Sequence, residues 1–170
     1  MIKQYTDLDL KDNIETFADL LIDVVENGAS IGFLPPLSRE DALVYWQSRL
    51  AGMKTGEHVL LVAHRDGEIT GCVQLALEQR LNGNHRAEVQ KLMVHTAHRR
   101  QGIGRELMTA LEQFAISDGR TTLVLDTRHG DPSEQLYQSM DYVQAGIIPQ
   151  YARSADGTLH STVFYYKLLD

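Results

Sequence analysis

A chain of 170 residues with 43% hydrophobic and 23% charged content fits one globular domain over residues 1–170, large enough to bury a continuous core. Its formal charge of -7 argues against a general nucleic-acid or anionic-membrane surface, because such partners are held by many distributed lysines and arginines. No apolar stretch is long enough to span a bilayer, and Met1 to Tyr5 lack the apolar segment of a secretory signal, so a cytoplasmic protein is expected.

In chain order, residues 2–6 read as a strand, followed by a helix in which Ile14, Phe17, Ala18, Leu21, Val24 and Val25 recur at helical spacing up to a stop at Asn27-Gly28. After an irregular stretch from Gly28 to Leu37, Ser38 and Asp41 form a capping pattern for a second helix with Leu43, Trp46, Leu50 and Met53 as its apolar stripe. His58 to His64 and Ile69 to Gln79 read as strands joined through Asp66-Gly67, and Cys72, the single cysteine, reads there as a buried structural thiol. A further strand runs from about Arg86 to Val94. The third helix places Ile103, Leu107, Ala110, Leu111, Phe114 and Ala115 on one side and ends near Asp118-Gly119. Thr121 to Thr127 follows as a strand, and Asp131 as N-cap with Pro132 at the first helical position opens a short fourth helix carrying Leu136, Tyr137 and Met140. Tyr142 to Ile148 and Thr158 to Leu168 close the chain as two strands, with Asp156-Gly157 in the connection. The strand, helix, strand order from residue 86 to 127 is a right-handed βαβ unit, whose strand carboxyl ends form a ligand-binding rim.

Arg99-Arg100-Gln101-Gly102-Ile103-Gly104 fills the turn from strand to helix inside that unit. Glycine lets the backbone approach a ligand closely, and the first N–H groups of the helix point outward at the positive end of its dipole. Arg99, Arg100 and Arg105 crowd a helix N-terminus, where cations are disfavoured unless an anion lies between them. Spacing, placement and charge together predict a pyrophosphate site rather than a loop of solvated arginines.

Arg99-x-x-Gly102-x-Gly104 after Leu92-Met93-Val94, with Leu136-Tyr137 and Tyr142 further on, resembles the GNAT superfamily of acyl-CoA-dependent N-acetyltransferases, and the element order resembles it over nearly the whole chain. Asn82-Gly83, Arg86 to Val94, Leu125-Asp126-Thr127 and Asp156-Gly157-x-Leu159-His160-x-Thr162 resemble its tabtoxin-resistance branch. One departure is Asp141 before Tyr142, where many members carry glycine; aspartate takes a left-handed cap less readily. The resemblance implies an α/β (α+β) fold, with a mixed, centrally twisted sheet of about six to seven strands flanked by about four helices. It also implies acetyl-CoA as cosubstrate and a small-molecule amine as acceptor, a β-lactam-like toxin or antibiotic in the nearest branch, with detoxification as the outcome.

Roles follow for named residues. Backbone N–H groups of Gln101, Gly102, Ile103, Gly104 and Arg105 are expected to bind the CoA pyrophosphate, with Arg99, Arg100 and Arg105 available to its oxygens. The resemblance implies that the pantetheine arm pairs with Leu92, Met93 and Val94 as an added strand, and that an N–H near Met93 is aimed at the thioester oxygen. Glu88 is the first choice for general base, as a strand carboxylate whose pKa burial would raise; its bland alternative is a surface carboxylate paired with Lys91 or Arg86. Asp126, on the neighbouring parallel strand, is the second carboxylate, and the resemblance implies a pair acting on substrate, with the assignment between them open. Tyr137, with an unperturbed phenol pKa near ~10, is the candidate general acid for the leaving thiolate, against a rival role in core packing. The segment from Gly28 to Phe33 implies a substrate-side loop offering Ser30 and Phe33; Tyr151 and His160 are flagged for substrate in the closing segment. His95 and His98 lack companions at ligand spacing, so no metal is expected. Trp46 and Phe114 read as core.

Two other functions compete: a peptide or protein N-terminal acetyltransferase, which an elongated groove beneath residues 28–37 would favour, and a non-catalytic acyl-CoA-binding sensor, for which Glu88 and Tyr137 would be unnecessary. The oligomeric state is left open, a homodimer included.

Overall fold

The computed structural model describes residues 1–169. Strands β1 (Ile2–Tyr5), β2 (His58–Arg65), β3 (Glu68–Leu77), β4 (Arg86–Val94), β5 (Thr122–Arg128), β6 (Val143–Arg153) and β7 (Leu159–Leu168) form one sheet in the order β1-β2-β3-β4-β5-β7-β6. All neighbours are antiparallel except β4 and β5. Helices α1 (Asp7–Asp12), α2 (Ile14–Glu26) and α3 (Arg39–Thr55) cover one face; α4 (Ile103–Ser117) and the short α5 (Ser133–Gln138) lie on the other. Each face has its own core, one built on Phe17, Leu21, Trp46 and Met93, the other on Leu107, Leu111, Leu123 and Tyr165. Alternation along the strands produces this division: Leu60 and Val62 face the first core, Leu61 and Ala63 the second.

Several boundaries differ from the sequence reading, and three of the differences have a local reason. The first helix is two helices, because Thr6 and Asp9 make a reciprocal capping box that starts α1 early and Asn13 then interrupts it before α2. β6 runs past Pro149 to Arg153: it is the sheet's edge strand, where a missing N–H costs no ladder bond, and its register shifts between Ile148 and Ala152. α5 begins one residue late, with Asp131 still supplying the cap by accepting from the Ser133 N–H at 2.9 Å. Ser38 caps α3 as expected, accepting from Asp41 N–H at 3.0 Å, and Asp141 takes the left-handed exit from α5 with φ 64°. Cys72 is fully buried, and burial pushes its thiol pKa well up, the state of an inert structural thiol.

The feature that matters for function is a split in the middle of the sheet. β4 and β5 pair only at Arg86↔Thr122, Ala87↔Leu123 and Glu88↔Val124. Beyond them β4 stays with β3 up to Val94, and β5 stays with β7 up to Arg128, so a wedge opens between the two parallel strands at their carboxyl ends. A bulge in β4 sharpens the divergence: Gln90 to Met93 opposes Cys72 to Gln74, and Lys91 carries the strain at φ 51°.

Candidate active site

The mouth of α4 is open to a ligand. Gly102 caps it in the left-handed conformation (φ 81°) with no side chain bonded to the first-turn amides, so those N–H groups face outward. The preceding 3-10 turn, Thr96 to His98, is pinned to α2 because the Thr96 N–H and hydroxyl donate to Asp23 at 2.8 and 2.7 Å. A pocket of about 460 Å³ lies at this mouth, lined by Leu92, Val94, Arg99, Arg100, Gly102, Gly104 and Leu136 among others. Arg99 and Arg100 are exposed along its rim. Arg105 also lines it but donates to the Ser139 hydroxyl at 2.7 Å, so this guanidinium is already engaged with the end of α5.

The mouth leads into the wedge, a second cavity of about 510 Å³ whose walls include Leu92, Lys91, Asp126, Ser133 and Tyr137. His95 donates its N–H to Thr70 on β3 at 2.9 Å. Amides of an extended strand alternate in direction, so those of Val94 and Leu92 face away from β3 into the wedge. Met93 faces β3 and pairs with Cys72. The donor expected near Met93 is therefore Leu92.

Carboxylates and phenol meet the wedge from opposite faces of the sheet. Glu88 lies beside Val124 in register, and Asp126 is one same-face step further along β5. Both carboxylates are exposed to the pocket, which corrects the expectation that Glu88 is buried. Neither expected partner closes on Glu88: Arg86 pairs with Glu78 at 2.9 Å, and the Lys91 ammonium lies over the Phe33 and Tyr45 rings at 5.7 and 5.6 Å. The Asp126 pKa is raised, chiefly by the protein crowding water away and next by the like charge of Glu88, with Lys91 opposing. Tyr137, 6% exposed, reaches the wedge from α5, which is tied down by Thr127 to Ser133 at 2.8 Å and by the Tyr165 hydroxyl donating to Glu134 at 2.5 Å. Burial, then Asp131 and Asp126, raise its pKa far above the ordinary phenol value expected from sequence.

An acetyltransferase (GNAT) family model matches residues 18–142. An uncharacterized N-acetyltransferase from the hisH-hisA intergenic region of Azospirillum brasilense is 31% identical over 118 residues, 68% of each chain. The chain belongs to the acetyltransferase (GNAT) family. Human N-acetyltransferase 8 is 32% identical over 111 residues, 63% of this chain, and the chain spans about half (48%) of that protein's length. Among solved structures, a ribosomal-protein-alanine N-acetyltransferase of Brucella melitensis superposes with TM-score 0.80 at 23% identity over 99% of both chains. The yncA protein of Salmonella typhimurium, solved with its cofactor acetyl-CoA, superposes with TM-score 0.79 at 20% identity over 100% of this chain and 94% of its own. These likenesses establish the mixed α/β GNAT fold.

GNAT membership makes acyl transfer from acetyl-CoA the chemistry to test against the wedge, and a further pocket opens on its far side. That pocket, about 300 Å³, is lined by Ser30, Tyr45, Arg49, Glu88, Lys91, Asp126, Arg128 and Tyr151, with Thr162 and others completing it. It shares Lys91 and Asp126 with the wedge, so the cavities connect. Ser30 and Tyr151, both flagged for substrate from the sequence, line this pocket; Phe33 packs edge-on against Tyr45 (5.2 Å, 84°) and lines an adjoining groove of about 550 Å³ that runs from Gly28–Pro35 to Ala152–Asp156. His160 lines none of these cavities. It sits opposite Ala152 near the end of the β6–β7 hairpin, its charge felt by Asp156. Sequence reasoning missed Arg49, Tyr45 and Arg128, and saw Lys91 only as a partner for Glu88. Arg128 ties the groove together by donating to the Gly28 carbonyl at 3.3 Å and meeting Asp131 at 3.4 Å.

Proposed function

We propose that this protein transfers the acetyl group of acetyl-CoA to the amine of a small molecule, in the manner of the tabtoxin-resistance branch, with Asp126 as the proton acceptor. The observation that carries the reading is the convergence on the wedge and the pocket joined to it of an uncapped helix mouth, an inward backbone N–H, a carboxylate pair and a phenol. The residues fit the cosubstrate: the left-handed Gly102 leaves the α4 amides free for a diphosphate, and the unpaired edge of β4 offers main-chain groups to an extended arm. Bound there, acetyl-CoA supplies an acyl group already activated as a thioester.

The chain's own residues then have distinct tasks. Asp126 takes a proton from the amine, directly or through one water, as the new C–N bond forms; its raised pKa brings it closer to the basicity such a transfer needs. Leu92 N–H faces the acyl oxygen and stabilises the charge that develops on it. Tyr137 stays protonated and donates a hydrogen bond to the sulfur as the C–S bond breaks; the CoA thiolate leaves and takes a proton from solvent, to which Asp126 releases the one it took from the amine. Because its pKa lies above that of a thiol, near ~8.5, the phenol acts mainly as a hydrogen-bond donor to the departing sulfur. Glu88 holds the Asp126 pKa up by like charge.

A pocket of about 300 Å³ sits at the lower end of ligand-site sizes, which supports a small acceptor; a peptide would also need the adjoining groove. The test is a free-thiol release screen with acetyl-CoA against amino acids, dipeptides, longer peptides, aminoglycosides, polyamines and β-lactam amines, alongside calorimetry of acetyl-CoA alone. Acceptor-dependent thiol release is expected from a small amine. Tight acetyl-CoA binding with no release from any acceptor would instead identify a sensor.

A further inference from the structure

We infer that the acceptor pocket contains an anion subsite, made by Lys91 and Arg49 over the Tyr45 ring, and that the acceptor is an amino carboxylate whose carboxylate docks there while its nitrogen faces Asp126. The inference rests on the acyl-transfer reading above and adds the acceptor's chemical class to it.

Two cations converge on one phenol ring. The Arg49 guanidinium carbon is 5.3 Å and the Lys91 ammonium 5.6 Å from the Tyr45 centroid. The ring is a fixed platform, since its hydroxyl donates to Gln74 at 3.1 Å and Phe33 braces it edge-on. Like charges sharing one ring repel, and each Lys or Arg held away from bulk water loses hydration that a ring face restores only in part. Among the described residues half of the lysines and arginines solve that problem with a carboxylate, Arg39, Arg65, Arg80, Arg86, Arg120 and Arg128 among them. Among the described residues Lys91 and Arg49 pair with none.

Carboxylates are at hand, yet the protein does not close them on these cations. Glu88 and Asp126 line the same pocket and their charges are felt at Lys91 without coming within ion-pair distance. Separated charges of both signs in one small cavity complement a ligand that carries both: an amine for the acidic side and an anion for the basic side. The arginines at the mouth of α4 make a useful comparison, because Arg99 and Arg100 likewise lack carboxylate partners where a diphosphate is expected. Phosphate and carboxylate could both satisfy a paired Lys and Arg. The confined pocket, which also holds two carboxylates, favours the smaller and singly charged group.

The test uses the full chain, acetyl-CoA and thiol release, with free amino acids and dipeptides set against their C-terminal amides, O-phosphoethanolamine as the phosphate arm, and spermidine as an anion-free amine. Accepted compounds are expected to carry a carboxylate, with kcat/KM about tenfold or more lower for the matching amide, as loss of a charge-assisted contact implies. Lys91→Met and Arg49→Met, made separately so that one misfolded variant leaves the other, should each raise the acceptor KM about tenfold, and Arg49→Met, outside the wedge, should leave acetyl-CoA affinity unchanged. Lys91→Arg should recover much of that loss. Equal use of amides or spermidine, preference for the phosphate compound, or an unmoved KM in both variants would overturn the subsite while leaving acetyl transfer intact. No thiol release with any amine would instead remove the acyl-transfer reading, and this inference with it.

Discussion

On the proposed reading, the two halves of the wedge recognise their ligands in opposite ways. On the cofactor side the groups that matter are main-chain: the amides at the start of α4, an N–H of Leu92 and the unpaired edge of β4, with arginines as an exposed fringe. On the acceptor side they are side chains delivered by separate elements, Arg49 from α3, Lys91 from β4, Asp126 from β5 and Tyr151 from β6. A backbone site is fixed by conformation and tolerates changes of side chain, whereas a side-chain site changes specificity with single substitutions. The same fold can therefore keep one acyl donor while its acceptor varies.

Substitutions should separate the halves, and the largest effect belongs to the acid-base group. Asp126→Asn is expected to reduce turnover by about 10²–10⁴-fold with acetyl-CoA affinity unchanged, measured by steady-state kinetics and calorimetry. On the other side, Gly104→Val should weaken acetyl-CoA binding by about 10–100-fold, because a Cβ at residue 104 already meets Leu136 Cδ2 at 3.4 Å and the larger branches have only the α4–α5 gap and the pocket to enter. Circular dichroism should report a retained fold. Tyr137→Phe should slow thiol release by roughly tenfold in stopped-flow detection, the scale of one lost hydrogen bond, with both ligands bound as before.

The smallest effect is the most diagnostic for the carboxylate pair. Asp126 is held above its ordinary value, so the acid limb of kcat/KM should lie above the usual Asp range near ~4. Glu88→Gln removes the like charge and should move that limb to lower pH, with only a few-fold loss of turnover. If Glu88 were the base, the same variant would abolish the limb together with activity. The stability consequence has a definite sign. A carboxyl with a raised folded pKa stabilises the fold most when protonated, below its unfolded pKa, and this contribution is lost as pH rises through the folded value. Asp126→Asn should therefore raise Tm slightly at neutral pH, with the gain fading in acid, as seen by thermal scans at two pH values.

The same division governs what could be read from the amino-acid order. Strand β4 from Arg86 to Val94 and the start of α4 at Ile103 were legible, because apolar alternation, glycine spacing and arginine crowding are all local signals. The α1–α2 break was not, since the Thr6–Asp9 box competes with a longer helical periodicity that runs through it. The far end of β6 was hidden by Pro149, which reads as a stop until the strand is known to be an edge. Tyr45 and Arg49 carried no site signal: on a helix they look like ordinary amphipathic surface, and only the packing of α3 against the loop from Gly28 to Leu37 brings them over Lys91. Lys91 itself offered a weak cue, a lone cation in an otherwise apolar strand end. The bulge that turns it toward the rings has no signature in residue type. The raised pKa of Asp126 also depended on three-dimensional surroundings, because the charges of Glu88 and Lys91 reach it from residues distant along the chain.

A crystal structure of the protein with acetyl-CoA would test the central claim most directly. The account predicts the diphosphate oxygens at hydrogen-bond distance, about 3 Å, from the N–H groups between Gly102 and Arg105, the pantetheine arm along the free edge of β4, and the thioester oxygen at the Leu92 N–H. A diphosphate bound away from the α4 mouth, or a thioester outside the space between β4 and β5, would contradict it.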